Sequence, residues 1–236
     1  MRRTLLLLLL TNTGAFTICD GQTKPIGDAP LNLATFNFKT SISSLYPAKH
    51  KSTTYKNAYE VKGVVHSQLV ITDTSFGTHP SGTQRALGIE YRQQSSTSLD
   101  TMAVWGEQPF QKVNIATTLD GRIKVVSTVA DPLTGSQSSY LIQRLTAAYG
   151  TPKKAKSARH ERFTRYEWTT AGRIIRFVSA VDDESATLKM VVDPQKSTIN
   201  SGKKEPHVVG YLFLINPALK QEVFGKLSTG DFAYLD

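Results

Sequence analysis

Six basic residues lie close together in one polar segment of this chain, and their side chains could bind anions. They are Lys153, Lys154, Lys156, Arg159, Arg162 and Arg165, with His160 among them and Glu161 as the one opposing charge. Guanidinium groups offer a planar fork of donors to phosphate or carboxylate, and ammonium groups act as point charges. The sequence therefore predicts an anion-binding site on a basic loop. The alternative is a flexible connector that its charge keeps soluble.

Residues that could carry out catalysis are scattered. Glu60 and Glu167 each follow a tyrosine on a predicted strand, and a facing pair of carboxylates can act as acid and base in glycan cleavage. A strand glutamate that points to solvent or pairs with a lysine is the commoner case. The histidines show no i, i+4 pair of the His-Glu-x-x-His zinc motif, and no Gly-x-Ser-x-Gly elbow is present. We therefore predict no catalytic residues, no metal site and no cofactor.

The first 21 residues have the three parts of an export signal. Arg2 and Arg3 form a positive start, six leucines form a short apolar core, and small residues follow. A membrane-spanning helix needs about 20 mostly apolar residues, more than this core supplies. We expect cleavage after Gly21, so that the mature chain begins at Gln22 and is free in the periplasm or the secreted space.

Cys19 leaves a second mode of export open. It is the only cysteine of the chain, and it lies where the lipidated cysteine of a bacterial lipoprotein would lie. The preceding Ile18 is larger than the residue usually found there. The alternative prediction is therefore a protein anchored to a bacterial membrane through Cys19, whereas cleavage after Gly21 leaves no thiol and no disulfide.

Charge and length limit the classes of partner. The chain has 236 residues and a formal net charge of +9, which falls to +8 when the signal removes two arginines and one aspartate. A basic balance favours an anionic partner. After export this would be an acidic envelope polymer or an anionic lipid rather than nucleic acid. The alternative is that the charge only maintains solubility, and the oligomeric state is not predicted.

The clearest helix spans 136–149. Ser136 can cap its first turn, Leu141 and Leu145 share one face, and Gly150 followed by Pro152 ends it. Before it, Asp120-Gly121 joins two alternating β-branched runs, which is typical of a β-hairpin. A short helix is predicted to open at Pro217 and to end before Gly225. The tail from Asp231 is predicted to be a last strand or a docked extension.

Together these patterns predict an α+β fold with a mainly antiparallel sheet, because the strands are joined by turns too short for parallel crossovers. Residues 22–30 are predicted to form a short tether, and 31–236 a single domain. Two halves, about 31–111 and 112–236, share the order strand, helix, three strands. In this hypothesis of internal duplication, Tyr59-Glu60-Val61 matches Tyr166-Glu167-Trp168, 68–71 matches 174–177, and 87–89 matches 188–190.

From the export signal and the scattered catalytic groups we predict an exported, non-catalytic binding or structural module of the bacterial cell envelope or secreted space. The alternative is an enzyme that acts on envelope polymers, a glycan or peptide hydrolase. Converging carboxylates in a deep pocket would favour the enzyme, and a plain sheet face would favour the module.

Overall fold

The computed structural model describes residues 24–63, 67–78, 84–95, 99–156, 163–184, 190–193, 198–203 and 205–235. The helices are α1 (Ile42–Leu45), α2 (Gly135–Tyr149) and three short 3₁₀ helices, Ala48–His50, Pro217–Glu222 and Gly230–Leu235. The strands, numbered in chain order, are β1 (Leu31–Asn32), β2 (Ala58–Val61), β3 (Gln68–Thr78), β4 (Gln84–Gln93), β5 (Ala103–Trp105), β6 (Gln108–Phe110), β7 (Lys112–Thr117), β8 (Ile123–Ala130), β9 (Lys153–Lys156), β10 (Thr164–Thr169), β11 (Ile174–Asp182), β12 (Met190–Asp193), β13 (Thr198–Ser201) and β14 (His207–Ile215).

A nine-stranded sheet dominates the fold, in the order β2-β3-β4-β7-β8-β14-β11-β10-β9. All of its neighbouring strands pair antiparallel. Two small sheets, β1-β5-β6 and β12-β13, complete the described strands. The prediction of a sheet-rich α+β fold with a large antiparallel sheet is therefore confirmed, and so is the hairpin around Gly121, which becomes β7 and β8.

Both faces of the large sheet are covered. One face, called the front face, carries a row of residues paired from strand to strand: Tyr91, Ile115, Val126, Leu214, Ile175 and Trp168. The helices α1 and α2 and the strands β1, β5 and β6 bury this face in one apolar cluster. The opposite, back face carries Ala116, Val125, Ile215 and Ile174. The C-terminal segment, residues 216–235, covers much of it through Val223, Leu227, Phe232 and Leu235.

Helix α2 packs on the front face as predicted. Leu141 and Leu145 are fully buried there. The first turn is capped by Thr134, two residues before the expected Ser136. Thr134 accepts a hydrogen bond from the Gln137 backbone, and the Gln137 side chain accepts one from Thr134 N in return. Such a reciprocal capping box satisfies two backbone donors that a helix start leaves free. Gly150 ends the helix at φ +82°, a left-handed value that favours glycine.

The C-terminal segment contains 3₁₀ helices where the sequence predicts a short helix and then a strand or docked extension. Asn216 caps the first one, since its side chain accepts from Ala218 N at 3.1 Å. The predicted short helix from Pro217 is therefore present as a 3₁₀ helix, which ends at Glu222, two residues before the expected Phe224. The tail is a docked extension whose Phe232 and Leu235 are fully buried.

The described part of the predicted tether, residues 24–30, packs on the domain. Ile26 is 1% exposed, and its backbone N–H donates to the Leu45 carbonyl at 3.0 Å. In the described residues no helix is long and apolar enough to cross a membrane. The predicted signal at 1–21 and Cys19 lie outside the described residues.

The two halves run inward from opposite edges of the sheet. After α1, Lys51 forms a bridge to Tyr59 of β2, and after α2, Lys154 of β9 pairs with Tyr166 of β10. A long antiparallel strand pair follows in each half. It is β3–β4 in the first half and β11–β14 in the second.

The proposed equivalences between the halves agree with this order for two of the three strand pairs. The first match, 59–61 with 166–168, pairs β2 with β10. The second match, 68–71 with 174–177, pairs β3 with β11. The third match is wrong in position, since Met190 lies in β12, outside the nine-stranded sheet, and β14 occupies the place beside β11. Its other two residues, 188 and 189, lie outside the described part of the chain. The cause is an excursion between Asp182 and His207, which alternation alone does not reveal.

Candidate functional site

The predicted basic loop begins instead as a β-strand. Residues Lys153–Lys156 form β9, the last strand of the nine-stranded sheet, which pairs antiparallel with β10. Arg165 lies on β10 itself. The expectation of a loop is therefore wrong for these residues, because β10 presents an unpaired edge just after Pro152 has ended the helix. Arg159 and Arg162, with the rest of 157–162, lie outside the described residues.

The strand register places the described cations on opposite faces of the sheet. Lys154 lies opposite Tyr166, Lys153 opposite Glu167, and Ala155 opposite Arg165. Directly paired residues share a face, and successive residues alternate between faces. Lys154 therefore lies on the front face, and Lys153 and Arg165 lie on the back face. These groups do not converge on one point.

On the front face, Lys154 is held over an aromatic ring. Its Nζ lies 5.4 Å from the centroid of the Tyr166 ring. That ring stacks in turn near Trp168 at 6.2 Å and near Phe177 at 6.4 Å. A cation over an exposed aromatic face gains about 0.5–1 kcal/mol. The contact steadies the Lys154 stem and leaves its exposed ammonium group available to an anion.

On the back face, the carboxylate opposite Lys153 is already used. Glu167 accepts a hydrogen bond from Arg176 Nε at 2.9 Å. The Arg176 guanidinium also donates to the Leu235 carbonyl and lies 4.3 Å from the Phe224 ring centroid. Glu167 and Arg176 therefore hold the end of the C-terminal segment. The exposed Lys153 has no ion pair with any acidic residue in the described ranges.

The same geometry separates the two glutamates that could have formed an acid–base pair. Glu60 lies on β2 and Glu167 on β10, with six strands between them. At about 4.8 Å per strand the separation is roughly 30 Å. Glu60 instead accepts a hydrogen bond from the Ser52 hydroxyl at 2.6 Å. The two carboxylates cannot act on one bond.

The structure brings together a second set of charges, which the sequence patterns do not reveal. This back-face charge cluster consists of Asp73, Glu90, Arg92 and Lys124. Glu90 and Lys124 are only 2% and 0% exposed. Arg92 pairs with Asp73, and its Nε lies 3.8 Å from a Glu90 carboxylate oxygen. Burial raises the pKa of Glu90 and lowers the pKa of Lys124, because a low-dielectric site disfavours the charged forms.

The Lys124 side chain donates a hydrogen bond to a β4 carbonyl that lies beyond the end of the neighbouring strand β7. Its Nζ donates to the Leu87 carbonyl at 3.2 Å, beyond the last residue pair between β4 and β7. A side chain on the neighbouring Gly88 would meet the Thr117 carbonyl oxygen at 1.8 Å, so glycine is required for this close approach. The buried lysine thus takes the place of a missing backbone donor, which is a structural use of its charge.

The cluster also fastens the C-terminal segment to the sheet. Thr229 donates a hydroxyl hydrogen bond to the Glu90 carboxylate. Nearby, Asp231 accepts from Asn114 Nδ2 and lies 2.8 Å from Lys112 Nζ. Perturbed pKa values are common at active sites, but structural ion networks produce them too. Here the C-terminal segment covers Glu90, which favours the structural interpretation.

Two of the five histidines take part in acid contacts. His207 Nε2 lies 2.8 Å from an Asp131 carboxylate oxygen, and His50 Nε2 lies 3.9 Å from Asp28. Within the described ranges no group of three or more His, Cys, Asp or Glu residues could hold a metal ion. His66, His79 and His160 lie outside those ranges.

Searches with this chain against protein families, curated proteins and solved structures find no match. The function of the chain must therefore be inferred from its own residues and their geometry.

Proposed function

We propose that this chain is an exported, non-catalytic binding module of the bacterial cell envelope or secreted space, which binds an anionic envelope polymer or lipid along its basic sheet edge. The observation that carries the proposal is the position of the Lys-rich strand β9 at the rim of the sheet, where Lys153 and Lys154 are both exposed. The predicted export signal and the net charge of the chain support the same class of partner.

The side chains of β9 alternate between the two faces of the sheet, and this determines the shape of the anion that can bind at the edge. A compact phosphate site needs several donors that point at one spot. Lys153 and Lys154 instead project from the two faces of one rim, which gives a ridge of positive potential. Such a ridge suits a partner whose charges are spread over a length or a surface, such as a polyanionic chain or a membrane rich in anionic lipid.

Lysines on an edge strand also have a structural use, because they prevent the pairing of two sheet edges. The two uses differ in one measurable respect. If the lysines only protect the edge, the protein needs no anionic ligand. If they bind an anion, the affinity for that anion falls as the salt concentration rises. Exposed charges are screened over a Debye length of about 8 Å at physiological ionic strength.

The test compares two triple variants of equal net charge. In the first, Lys153, Lys154 and Arg159 are replaced with glutamine. In the second, three exposed lysines elsewhere, Lys39, Lys56 and Lys226, are replaced with glutamine. The probes are lipopolysaccharide and vesicles of phosphatidylglycerol in phosphatidylcholine.

We expect wild type and the control to bind at low salt, to bind much less at about 0.15 M, and the edge variant not to bind. Thermal unfolding of all three proteins should be nearly the same. If the edge variant binds like the control, only the total charge matters. If wild type does not bind at low salt, the edge is not a ligand site.

We further propose that the two halves arose by duplication of one unit. Support comes from the matching bridges, Lys51 to Tyr59 and Lys154 to Tyr166, each between a helix and a long hairpin. Sequences of related chains in which the halves resemble each other more strongly would support it, and halves that never align in this register would refute it.

A further inference from the structure

A cleft lies on the helix-bearing side of the molecule, away from the basic edge. Its volume is about 280 Å³, at the small end of the range for ligand pockets. One wall is the turn between β5 and β6 with the start of β6, and the other is the first two turns of α2. The residues that line it are Glu107, Gln108, Pro109, Ser136, Gln137 and Tyr140.

The helix wall presents polar and aromatic groups on one face. Ser136 and Gln137 lie four and three residues before Tyr140, the spacing that puts side chains on the same side of a helix. The guanidinium carbon of Arg144, one turn further on, lies 5.9 Å from the Tyr140 ring centroid. The ring is therefore held between the helix surface and the cleft.

The hairpin wall is set by a tight turn. Gly106 has φ +59°, a left-handed value that favours glycine. A side chain there would come within 3.8 Å of the Tyr140 hydroxyl. This turn places Glu107 and Gln108 across from the helix. Gln108 is only 3% exposed although it is polar, and its Nε2 donates to the Pro109 carbonyl at 2.9 Å.

The groups available in the cleft define its chemistry. The Gln137 carboxamide oxygen serves the capping box at 2.9 Å from Thr134 N, which leaves its NH₂ group as a donor. Gln108 keeps a carboxamide oxygen as an acceptor, and the Tyr140 hydroxyl can donate or accept. The Ser136 hydroxyl already shares a hydrogen bond with Thr134 Oγ1 at 3.0 Å and keeps a lone pair as an acceptor. The one charged lining residue is Glu107, an acceptor. A site with a carboxylate and no lining cation disfavours anions.

We propose that this cleft binds a neutral saccharide unit. Sugar hydroxyls donate and accept at once, and the lining offers both kinds of partner beside an aromatic ring that can cover the apolar face of a pyranose. The site does not depend on the helix N-terminus, because Thr134 already accepts the Gln137 N–H at 3.2 Å. It is also separate from the proposed polyanion site, so either can fail while the other holds.

The experiment is an NMR titration of the exported protein with neutral oligosaccharides, namely chitotetraose, cellotetraose and maltotetraose. We expect at least one of them to shift backbone amides in 106–108 and 134–140 at millimolar concentration. Tyr140→Ala should weaken that binding by roughly tenfold or more, since about 1.4 kcal/mol corresponds to a factor of ten. Tyr55→Ala, a tyrosine 56% exposed on a distant loop, should leave it unchanged.

Glu107→Gln distinguishes the ligand class, and this exposed residue can be replaced without loss of the fold. A neutral sugar should bind the variant within about threefold of wild type, because an amide oxygen still accepts a hydrogen bond. A loss of roughly tenfold or more would show that the sugar is held by the carboxylate charge rather than by the neutral donors and acceptors of the cleft, and would overturn the proposal as argued from them. Shifts that lie elsewhere, or no shift with any of the three probes, would overturn it as well.

Discussion

The indole Nε1 of Trp168 donates a hydrogen bond to the Gly150 carbonyl at 3.0 Å, and this bond joins the end of helix α2 to the second-last strand of the large sheet. Trp168 is 1% exposed and ends the row that crosses the front face. The carbonyls at the end of a helix have no partner within the helix. One side chain thus packs in the core and satisfies a helix terminus.

Trp168→Phe should therefore destabilise the protein by about 1–3 kcal/mol, since it removes the donor of this part-buried hydrogen bond and leaves a smaller ring in the buried site that the indole fills. Chemical denaturation would measure the free energy of unfolding. Amide exchange should quicken first at the end of α2 and around residue 150. Tyr55→Phe, on an exposed loop, is the control and should change little. Equal stability of Trp168→Phe and wild type would mean that water replaces the indole donor.

Leu141→Asp tests the buried face of α2. Leu141 is fully buried beside Leu145, so the aspartate would have to enter an apolar cluster as a charge or as an unpaired acid. We expect a loss of about 4 kcal/mol or more in the free energy of unfolding, which is exceptional for one substitution. Ser139→Asp on the exposed face of the same helix is the matched control. The two variants should have clearly different melting temperatures, and similar ones would show that the helix face is misassigned.

The parts of the fold that local pattern determines could be predicted from the sequence. Helix α2 follows from the period of Leu141 and Leu145 and from Gly150, and the β7–β8 hairpin follows from Asp120-Gly121 between alternating runs. The order of the strands could not be predicted. The long-range pairing of β8 with β14 joins residues 125–130 to 210–215, and nothing near either strand specifies its partner.

For the candidate site the sequence predicted which residues are basic but not how they are arranged. A run such as Lys153-Lys154-Ala155-Lys156 has low strand propensity, and only the open edge of β10 makes it a strand. The back-face charge cluster was missed because Glu90 and Lys124 resemble solvent-facing positions of ordinary strands. The one signal is that Lys124 lies between Ile123 and Val125 in a run of apolar residues. The segment that buries both charges is about 100 residues away from Lys124 and about 140 residues away from Glu90 in the chain.

Thr229→Val tests how the C-terminal segment is held. The Thr229 hydroxyl donates to Glu90, whose side chain is only 3% exposed. Valine has nearly the same shape but no donor, so the buried carboxylate would lose a partner. We expect a loss of about 1–3 kcal/mol in stability, together with faster amide exchange in residues 227–235 than in the rest of the chain.

Thr54→Val is the control for this substitution, because Thr54 is exposed on the loop before β2. It should leave both stability and exchange unchanged. If Thr229→Val slowed or preserved exchange in 227–235, the Thr229 hydrogen bond would not be what holds the segment, and its other contacts, through residues such as Phe232, Leu235 and Asp231, would be sufficient.

The dependence of stability on pH should show the contribution of His207. Its pKa is raised by the hydrogen bond of Nδ1 to the Glu205 carbonyl and by the Asp131 carboxylate, against an opposing effect of burial. In the described part of the chain, the charged groups that act on His207 are acidic. Glu184 lies 3.8 Å from Nδ1, and Asp182 is its cross-strand partner on β11. A raised pKa means that the folded state binds the proton more tightly than the unfolded state does.

This contribution to stability is therefore complete below the unfolded value of about 6.5 and is lost as the pH rises through the higher folded value. Urea denaturation of wild type and His207→Gln from about pH 5.5 to about pH 8.5 measures it. The stability difference between the two proteins should be largest at the acid end and should shrink as the pH rises. His50→Gln, which removes the other histidine that faces a carboxylate in the described residues, is a control for the loss of a histidine. Parallel curves for wild type and His207→Gln would mean that the histidine has the same pKa in the folded and unfolded chains.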